Sequence, residues 1–167
     1  MKFVEAIHLA LQQSTTVITA VNSSQKIFQS FAAPTTAVPF IVVGSQSDEA
    51  LNPTIKGTGD TVRLATLTVD CVSSSLSQAT NIADHVRVDL YNSAGSLATA
   101  SNSPMVIQNI RIDGSNMAYD MGSEGTEYGV FVCSVTVKIW YVASTPARSL
   151  LSLIPHLQHS KGKNKWQ

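Results

Sequence analysis

The sequence predicts a small α+β fold, in which a mainly antiparallel four-stranded sheet packs against an N-terminal helix and a central amphipathic helix. Two β-rich runs precede a Ser-capped helical segment, and two more follow it. The chain has 167 residues, 44% of them hydrophobic, which is enough to bury one core. We expect one domain over residues 1–145 and a basic, flexible C-terminal tail over residues 146–167.

The first segment predicts a short amphipathic helix from Lys2 to Gln13. Its apolar residues recur at helical spacing: Phe3, Ile7, Ala10 and Leu11. Residues 15–31 are ambiguous, because the run 16–21 fits either a strand or a second short helix. Residues 26–28 fit a short extended piece.

Two strands are predicted next. The run from Pro39 to Ser47 is β-rich, and its leading proline suits the first residue of a strand, where no ladder donor is required. Residues 61–72 alternate apolar and polar side chains, as does a strand with one buried face. The connection between them, residues 47–60, is rich in turn-forming residues, and we expect a mobile, projecting loop.

A helix from Ser75 to Asn92 follows the second strand. Ser75 and Gln78 have the spacing of a capping box. One apolar stripe runs along the segment: Leu76, Ala79, Ile82, Ala83, Val86 and Leu90. This helix is expected to pack on the sheet.

The last two strands are predicted at Met105 to Asp113 and at Tyr128 to Val142, joined by a hairpin region over residues 114–127. In the final strand the odd-numbered residues from 131 to 141 share one apolar face, and Lys138 and Trp140 lie on the other. An aromatic side chain on the polar face suggests a partner surface. The two cysteines, Cys71 and Cys133, fall on apolar faces and are expected to be reduced core thiols.

The sequence carries no constellation for bond chemistry, so we expect no enzyme, no cofactor and no metal site. The segment 57–60 lacks the Lys and the Ser/Thr of a phosphate loop. The acids of residues 113–127 fit the spacing of no ligand loop. His85 has no nucleophile-base motif around it.

Charge is sparse and unevenly distributed. The formal net charge is zero and only 13% of residues are charged, against the roughly 25% usual in soluble domains. Four bases and no acid follow residue 145, so the preceding body is net acidic by the same amount. Such a weakly charged surface suits contact with neighbouring subunits. The N-terminus does not read as a signal peptide, which favours a cytoplasmic protein.

Four segments together are similar to a known family. They are the run from Ala37 to Gly44, the strand from Arg63 to Cys71, the helix from Ser75 to Val86, and the closing Val135 to Tyr141, which ends in the aromatic pair Trp140-Tyr141. In type and order, over roughly residues 1–142, they resemble the tail-completion or tail-terminator proteins of long-tailed phages and prophages. That family has no invariant catalytic residue.

The resemblance implies a structural virion protein that forms a ring, a hexamer in this family, at the head-proximal end of the tail tube. Such a ring ends tube polymerisation and joins tail to head. The implied partners are further copies of the chain, the tail tube protein and the head connector protein. DNA would pass through the lumen without specific binding, and no membrane is involved. The implied location is the tail of the virion, assembled in the host cytoplasm.

Ring closure requires a heterologous interface, in which one side of a subunit meets the other side of the next. The candidate interface residues are Asp48, Glu49, Leu51, Ile55, Lys138, Trp140, Leu150 and Leu151. The apolar segment 150–154 has two interpretations that the sequence leaves open. Either it belongs to a frayed terminus, or it docks on an adjacent subunit.

Two other classes of function stay open. One is another neck or head-tail connector ring component, which shares the same structural logic. The other is a small oligomeric ligand-binding protein or enzyme, with a site between subunits built from His85, Asp89 and the loop from Gly114 to Glu127.

Overall fold

The computed structural model describes residues 2–33, 35–51, 60–93, 105–120 and 129–144. Three α-helices pack against a β-sheet, which confirms the α+β class. The helices are α1 (Lys2–Gln13), α2 (Thr15–Val21) and α3 (Leu76–Asn92), with a 3-10 turn at Ser24–Lys26. The strands are β1 (Ile27–Gln29), β2 (Phe40–Ala50), β3 (Asp60–Ser73), β4 (Met105–Asp120) and β5 (Val130–Ser144).

The described strands form one mixed sheet in the order β1-β2-β3-β5-β4. All neighbours pair antiparallel except β1 and β2, which are parallel. The expected four-stranded sheet is therefore corrected to five strands, one of them parallel to its neighbour. The added strand is only three residues long, too short to show a two-residue alternation, and it forms because it pairs with β2.

The ambiguous segment 15–31 forms a helix and then a strand. Ser14 caps α2 by accepting a hydrogen bond from the Val17 amide at 3.1 Å. Asn22 ends α2 in the left-handed region, with φ of 64°, a conformation that asparagine tolerates. The helical alternative for 16–21 and the extended piece at 26–28 are thus the ones realised.

A buried serine organises the start of α3. The N-cap Ser75 accepts a hydrogen bond from the Gln78 amide at 3.3 Å, as the capping box predicts. The Gln78 side chain does not return to the Ser75 amide, however. Ser73, which is fully buried, accepts from that amide at 3.3 Å and donates to the Gln78 side-chain oxygen at 2.6 Å. One serine hydroxyl thus completes the cap between strand and helix.

Three bulges interrupt the sheet, one in β2 and two in β4. In β2 the register shifts between Gly44 and Gln46, which leaves Ser45 as the extra residue. In β4 the extra residues are Gln108 and Gly114. The prediction that residues 114–120 belong to a hairpin connection is wrong, since β4 continues to Asp120. A glycine inside a strand often marks such a bulge.

The core lies between the helices and one face of the sheet. On β3 and β5 the buried side chains alternate as predicted and join buried residues of all three helices in one cluster. Cys71 and Cys133 lie opposite each other on these strands, free and fully buried, as the sequence predicted. Burial raises the pKa of the Cys71 thiol, so it stays protonated.

Candidate subunit interface

The sheet face opposite the helices, here called the outer face, holds much of the predicted interface. In the central part of β3 and β5 it is formed by the side chains that alternate with the core residues and keep partial exposure: Leu64, Thr66, Thr68, Asp70, Ser134, Thr136, Lys138 and Trp140. Most of its middle is hydroxyl-bearing and neutral. Its hydroxyl groups cost less to desolvate than charged groups would, provided that a partner supplies hydrogen bonds to them.

The strand register brings Glu49 and Trp140 into one transverse row of the outer face. Glu49 lies opposite Leu64, and Leu64 lies opposite Trp140. On the other side of Trp140 the partner is Asn109 of β4. Adjacent strands are about 4.8 Å apart, so Glu49 and Trp140 are separated by roughly 10 Å. Two candidates that are distant in sequence therefore belong to one surface.

Lys138 is part of a three-residue ionic group on the same face. The Asp113 carboxylate receives the Lys138 ammonium at 2.6 Å and the Arg111 guanidinium at 2.7 Å. The hydrogen bond from Lys138, followed by the charge of Arg111, lowers the pKa of Asp113 below its usual range. One carboxylate thus faces two cations, so the group carries a net charge of +1, and the Arg111 side chain is 70% exposed.

Asp48 differs from its neighbour Glu49, although the sequence placed both on one projecting loop. The structure places them on β2, which continues to Ala50, so residues 47–50 are strand. Because the bulge at Ser45 inverts the alternation, Asp48 lies on the helix side. Its two oxygens accept from Arg63 Nε at 3.0 Å and from the Tyr141 hydroxyl at 2.8 Å. Asp48 therefore acts within the subunit.

The Asp48 carboxylate lies beside a buried aromatic pair. The Phe3 ring meets the Tyr141 ring edge-on, with centroids 4.9 Å apart. Desolvation, then the hydrogen bond to Asp48, raises the pKa of the Tyr141 hydroxyl. Nearby on β2, the buried carboxamide oxygen of Gln46 is the single buried side-chain nitrogen or oxygen in the described ranges without a hydrogen-bond partner.

Of the remaining predicted interface residues, one lies within the described ranges and three lie outside them. Leu51 follows the end of β2 and is 41% exposed. Ile55, Leu150 and Leu151 lie outside the described residues, as does most of the predicted 47–60 loop.

A second apolar surface was missed by the sequence analysis. It is a shallow groove between α3 and β4, here called the α3–β4 groove, of about 320 Å³. It is lined by Arg87, Val88, Tyr91, Asn92 and Ile112. Val88 and Tyr91 are 58% and 73% exposed. The available signal was that both are apolar or aromatic yet fall off the buried stripe of α3.

Two residues of the intersubunit ligand site considered from the sequence, His85 and Asp89, both lie on the side of α3 that faces α2. His85 lines a depression against α2. Asp89 accepts hydrogen bonds from the Ser14 and Thr16 hydroxyls, the latter at 2.7 Å. The strand β4 meets α3 elsewhere, near Thr80 and Val88. Residues 114–120 belong to that strand, and residues 121–127 are outside the described ranges.

Two further features are absent from the described residues. No group of three or more His, Cys, Asp or Glu side chains is placed to hold a metal ion. Within the same ranges, none of the helices has the length and apolarity required to traverse a membrane.

Comparison with known proteins gives a likeness at the level of the fold. No known protein family and no curated protein matches the sequence. A chain in a solved structure described as the virion of a native gene transfer agent (GTA) particle is similar in fold, with a TM-score of 0.55. The match covers 84% of this chain and 94% of that chain, at 6% sequence identity. At that identity the likeness concerns the fold.

Proposed function

We propose that this protein is a structural subunit of a phage-like virion. It forms a ring, a hexamer, at the head-proximal end of the tail tube, ends tube polymerisation and joins tail to head. The fold is similar over 94% of the length of a chain from a virion structure, and the element order resembles that of tail terminators. The observation that carries the proposal is the outer face.

The outer face suits assembly because its uncharged polar groups cost less to desolvate than charges and can be satisfied by hydrogen bonds from a partner. The described helices pack against the opposite side of the sheet, where the buried residues of β3 and β5 lie. The outer face combines an indole, a leucine and a largely hydroxyl-bearing centre, and its charges include Glu49, Asp70, Asp120 and the Arg111–Asp113–Lys138 group. Aromatic side chains surrounded by polar groups are typical anchors of protein interfaces.

The charge of the domain fits a ring around DNA. Residues 1–145 carry four more acids than bases, since the four bases after residue 145 balance the whole chain to zero. A basic lumen would hold phosphates by releasing counterions, whereas a neutral or acidic one lets DNA move. In this proposal the protein contributes surfaces and electrostatics, without catalysis, cofactor or metal.

The proposal is tested with the tail tube protein from the same genome. The two proteins are mixed in a titration while tubes assemble, and tube length is measured in electron micrographs. We expect tubes to shorten as the subunit is added and a ring to cap one end. Tubes of unchanged length without caps would overturn the terminator role.

A neck or head-tail connector ring component is the second candidate, because the virion likeness and the outer face favour it equally. Its expected behaviour differs in the same experiment. The protein would then leave tube length unchanged and co-purify with the connector protein of the head. Mass measurement of the two mixtures by light scattering distinguishes the candidates.

A further inference from the structure

The α3–β4 groove lies on the helix side of the sheet, away from the outer face. Its large apolar side chains are fully or partly exposed. Val88, Tyr91 and Ile112 form its apolar lining. Further along β4, the exposed Met117 and Tyr119 continue the surface. Large exposed apolar side chains grouped in this way mark a binding surface.

The edge of β4 itself is poorly suited to receive an added strand. Within the described sheet, β4 is the last strand and pairs only with β5. Its bulges at Gln108 and Gly114 break the regular ladder at two points, a device that protects sheet edges from pairing with other chains. The accessible feature on this side is therefore the side-chain groove and not the backbone edge.

We propose that the groove binds a segment of the same chain, Leu150–Ile154. Of the segments outside the described ranges, this one has the greatest apolar content, with four aliphatic residues in five. The other segments, 52–59, 94–104 and 121–128, contain one or two large apolar residues each. The occupant is thus an apolar peptide tethered to the domain it covers.

The length of the tether matches the position of the groove. The last described residue is Ser144, and Ile112 in the groove lies opposite Val137, seven residues back along β5. At about 3.3 Å per residue, the groove is roughly 23 Å from Ser144 along the strand. Residues 150 and 154 follow Ser144 by six and ten residues and can reach about 20 and 35 Å.

Charge is compatible with docking of this segment, and tethering favours the segment of the same chain over that of a second copy. Arg148 and three lysines flank the apolar segment, while residues 1–145 carry an equal excess of acids. In the groove, Arg87 is paired with Asp84 at 2.8 Å, which reduces its repulsion of the bases. A short tether holds the segment at an effective concentration of the order of millimolar, well above the concentration of other copies.

The inference is tested on the isolated protein, so its outcome does not depend on ring formation. Val88→Cys is labelled with a maleimide in the full chain and in a chain ending at Thr145. The native Cys71 and Cys133 are fully buried and serve as unreactive background. We expect labelling to be at least tenfold slower in the full chain. Leu9→Cys, at an exposed position of α1, is the control and should react equally in both chains.

Equal labelling of Val88→Cys in the two chains would overturn the proposal. Tyr91→Cys repeats the test at a second groove position, in case one variant misfolds. The occupant is identified by oxidising the double variant Val88→Cys, Leu151→Cys. We expect a disulfide within one chain. On a non-reducing gel the protein would then stay monomeric and migrate faster than the reduced chain. A bond between two chains, or no bond, contradicts docking within the chain.

Discussion

Tyr141 shows how a single residue at the sheet end connects strands that are far apart in sequence. Its hydroxyl donates to Asp48 of β2, its ring contacts Phe3 of α1, and its register partner on β3 is Arg63. Asp48 in turn accepts from Arg63. The sequence analysis placed Asp48 in an interface loop, because the hydrogen-bond partners of this carboxylate become visible only when β2 is paired with β3.

Removal of the hydroxyl should lower stability modestly. We expect Tyr141→Phe to reduce the free energy of unfolding by about 1 kcal/mol at neutral pH, through loss of one hydrogen bond to a charged acceptor. Denaturant titration measures the change, and Tyr119→Phe, at an exposed position outside the lining of the α3–β4 groove, is the matched control. An unchanged value for Tyr141→Phe would show that the bond contributes nothing.

The same pair of proteins has a defined pH dependence. The pKa of Tyr141 is raised above its ordinary value of 10.0 in the folded state. A raised pKa stabilises the fold fully at pH values below 10, and the stabilisation is lost as pH rises through the folded pKa. The difference between the native protein and Tyr141→Phe should therefore shrink above pH 10. A constant difference from pH 7 to pH 11 contradicts the assignment.

Cys133 tests which face of β5 is buried. Cys133→Asp places a carboxylate among fully buried neighbours such as Cys71 and Val135. We expect a loss of several kcal/mol, or failure to fold, because an unpaired buried charge must be neutralised or expelled. Ser134→Asp, on the outer face and opposite Asp70, should cost only about 1 kcal/mol or less in the isolated subunit, through repulsion between the two carboxylates. Thermal unfolding compares them, and equal melting temperatures would contradict the assigned faces.

At the scale of elements, long periodic segments were predictable and paired features were not. The bounds of α1 and the placement of α3, β3 and β5 follow from sequence period and capping residues. The parallel strand β1 and the three bulges depend on contacts with partner strands, which no local pattern contains. For the same reason the sequence placed Asp48 on a projecting loop with Glu49, whereas the register of β2 turns its side chain to the helix side. The assignment of Glu49, Lys138 and Trp140 to an interface stays a prediction.

The junction of β3 and α3 gives a prediction at this scale. Ser73→Ala should lower the free energy of unfolding by about 1–3 kcal/mol, because it leaves the Gln78 side chain and the Ser75 amide without their partner. The control is Ser77→Ala, an exposed position in the first turn of α3. Chemical unfolding measures both. If the two variants lose the same amount, the buried hydroxyl has no special role at the cap.

The whole molecule has two sides with different proposed partners. The outer face is assigned to assembly, and the α3–β4 groove to a segment of the same chain. Trp140→Asp should weaken binding to the tube end at least tenfold, or about 1.4 kcal/mol, while the isolated subunit stays folded. Leu76→Asp, on the helix side, is the control. Binding measured by co-sedimentation should be unaffected by the control, and equal binding by both variants would contradict an outer-face interface.

The bulge at Ser45 reverses the alternation of side chains between the two halves of β2. Before it, odd-numbered residues such as Ile41 and Val43 point to the core, and after it even-numbered residues do. A substitution at position 45 changes one side chain. A deletion there would move every following side chain of β2 to the opposite face of the sheet. Gln46 and Asp48 would leave the helix side, and Ser47 and Glu49 would enter it. Chain length at this point should therefore vary far less among relatives than residue type.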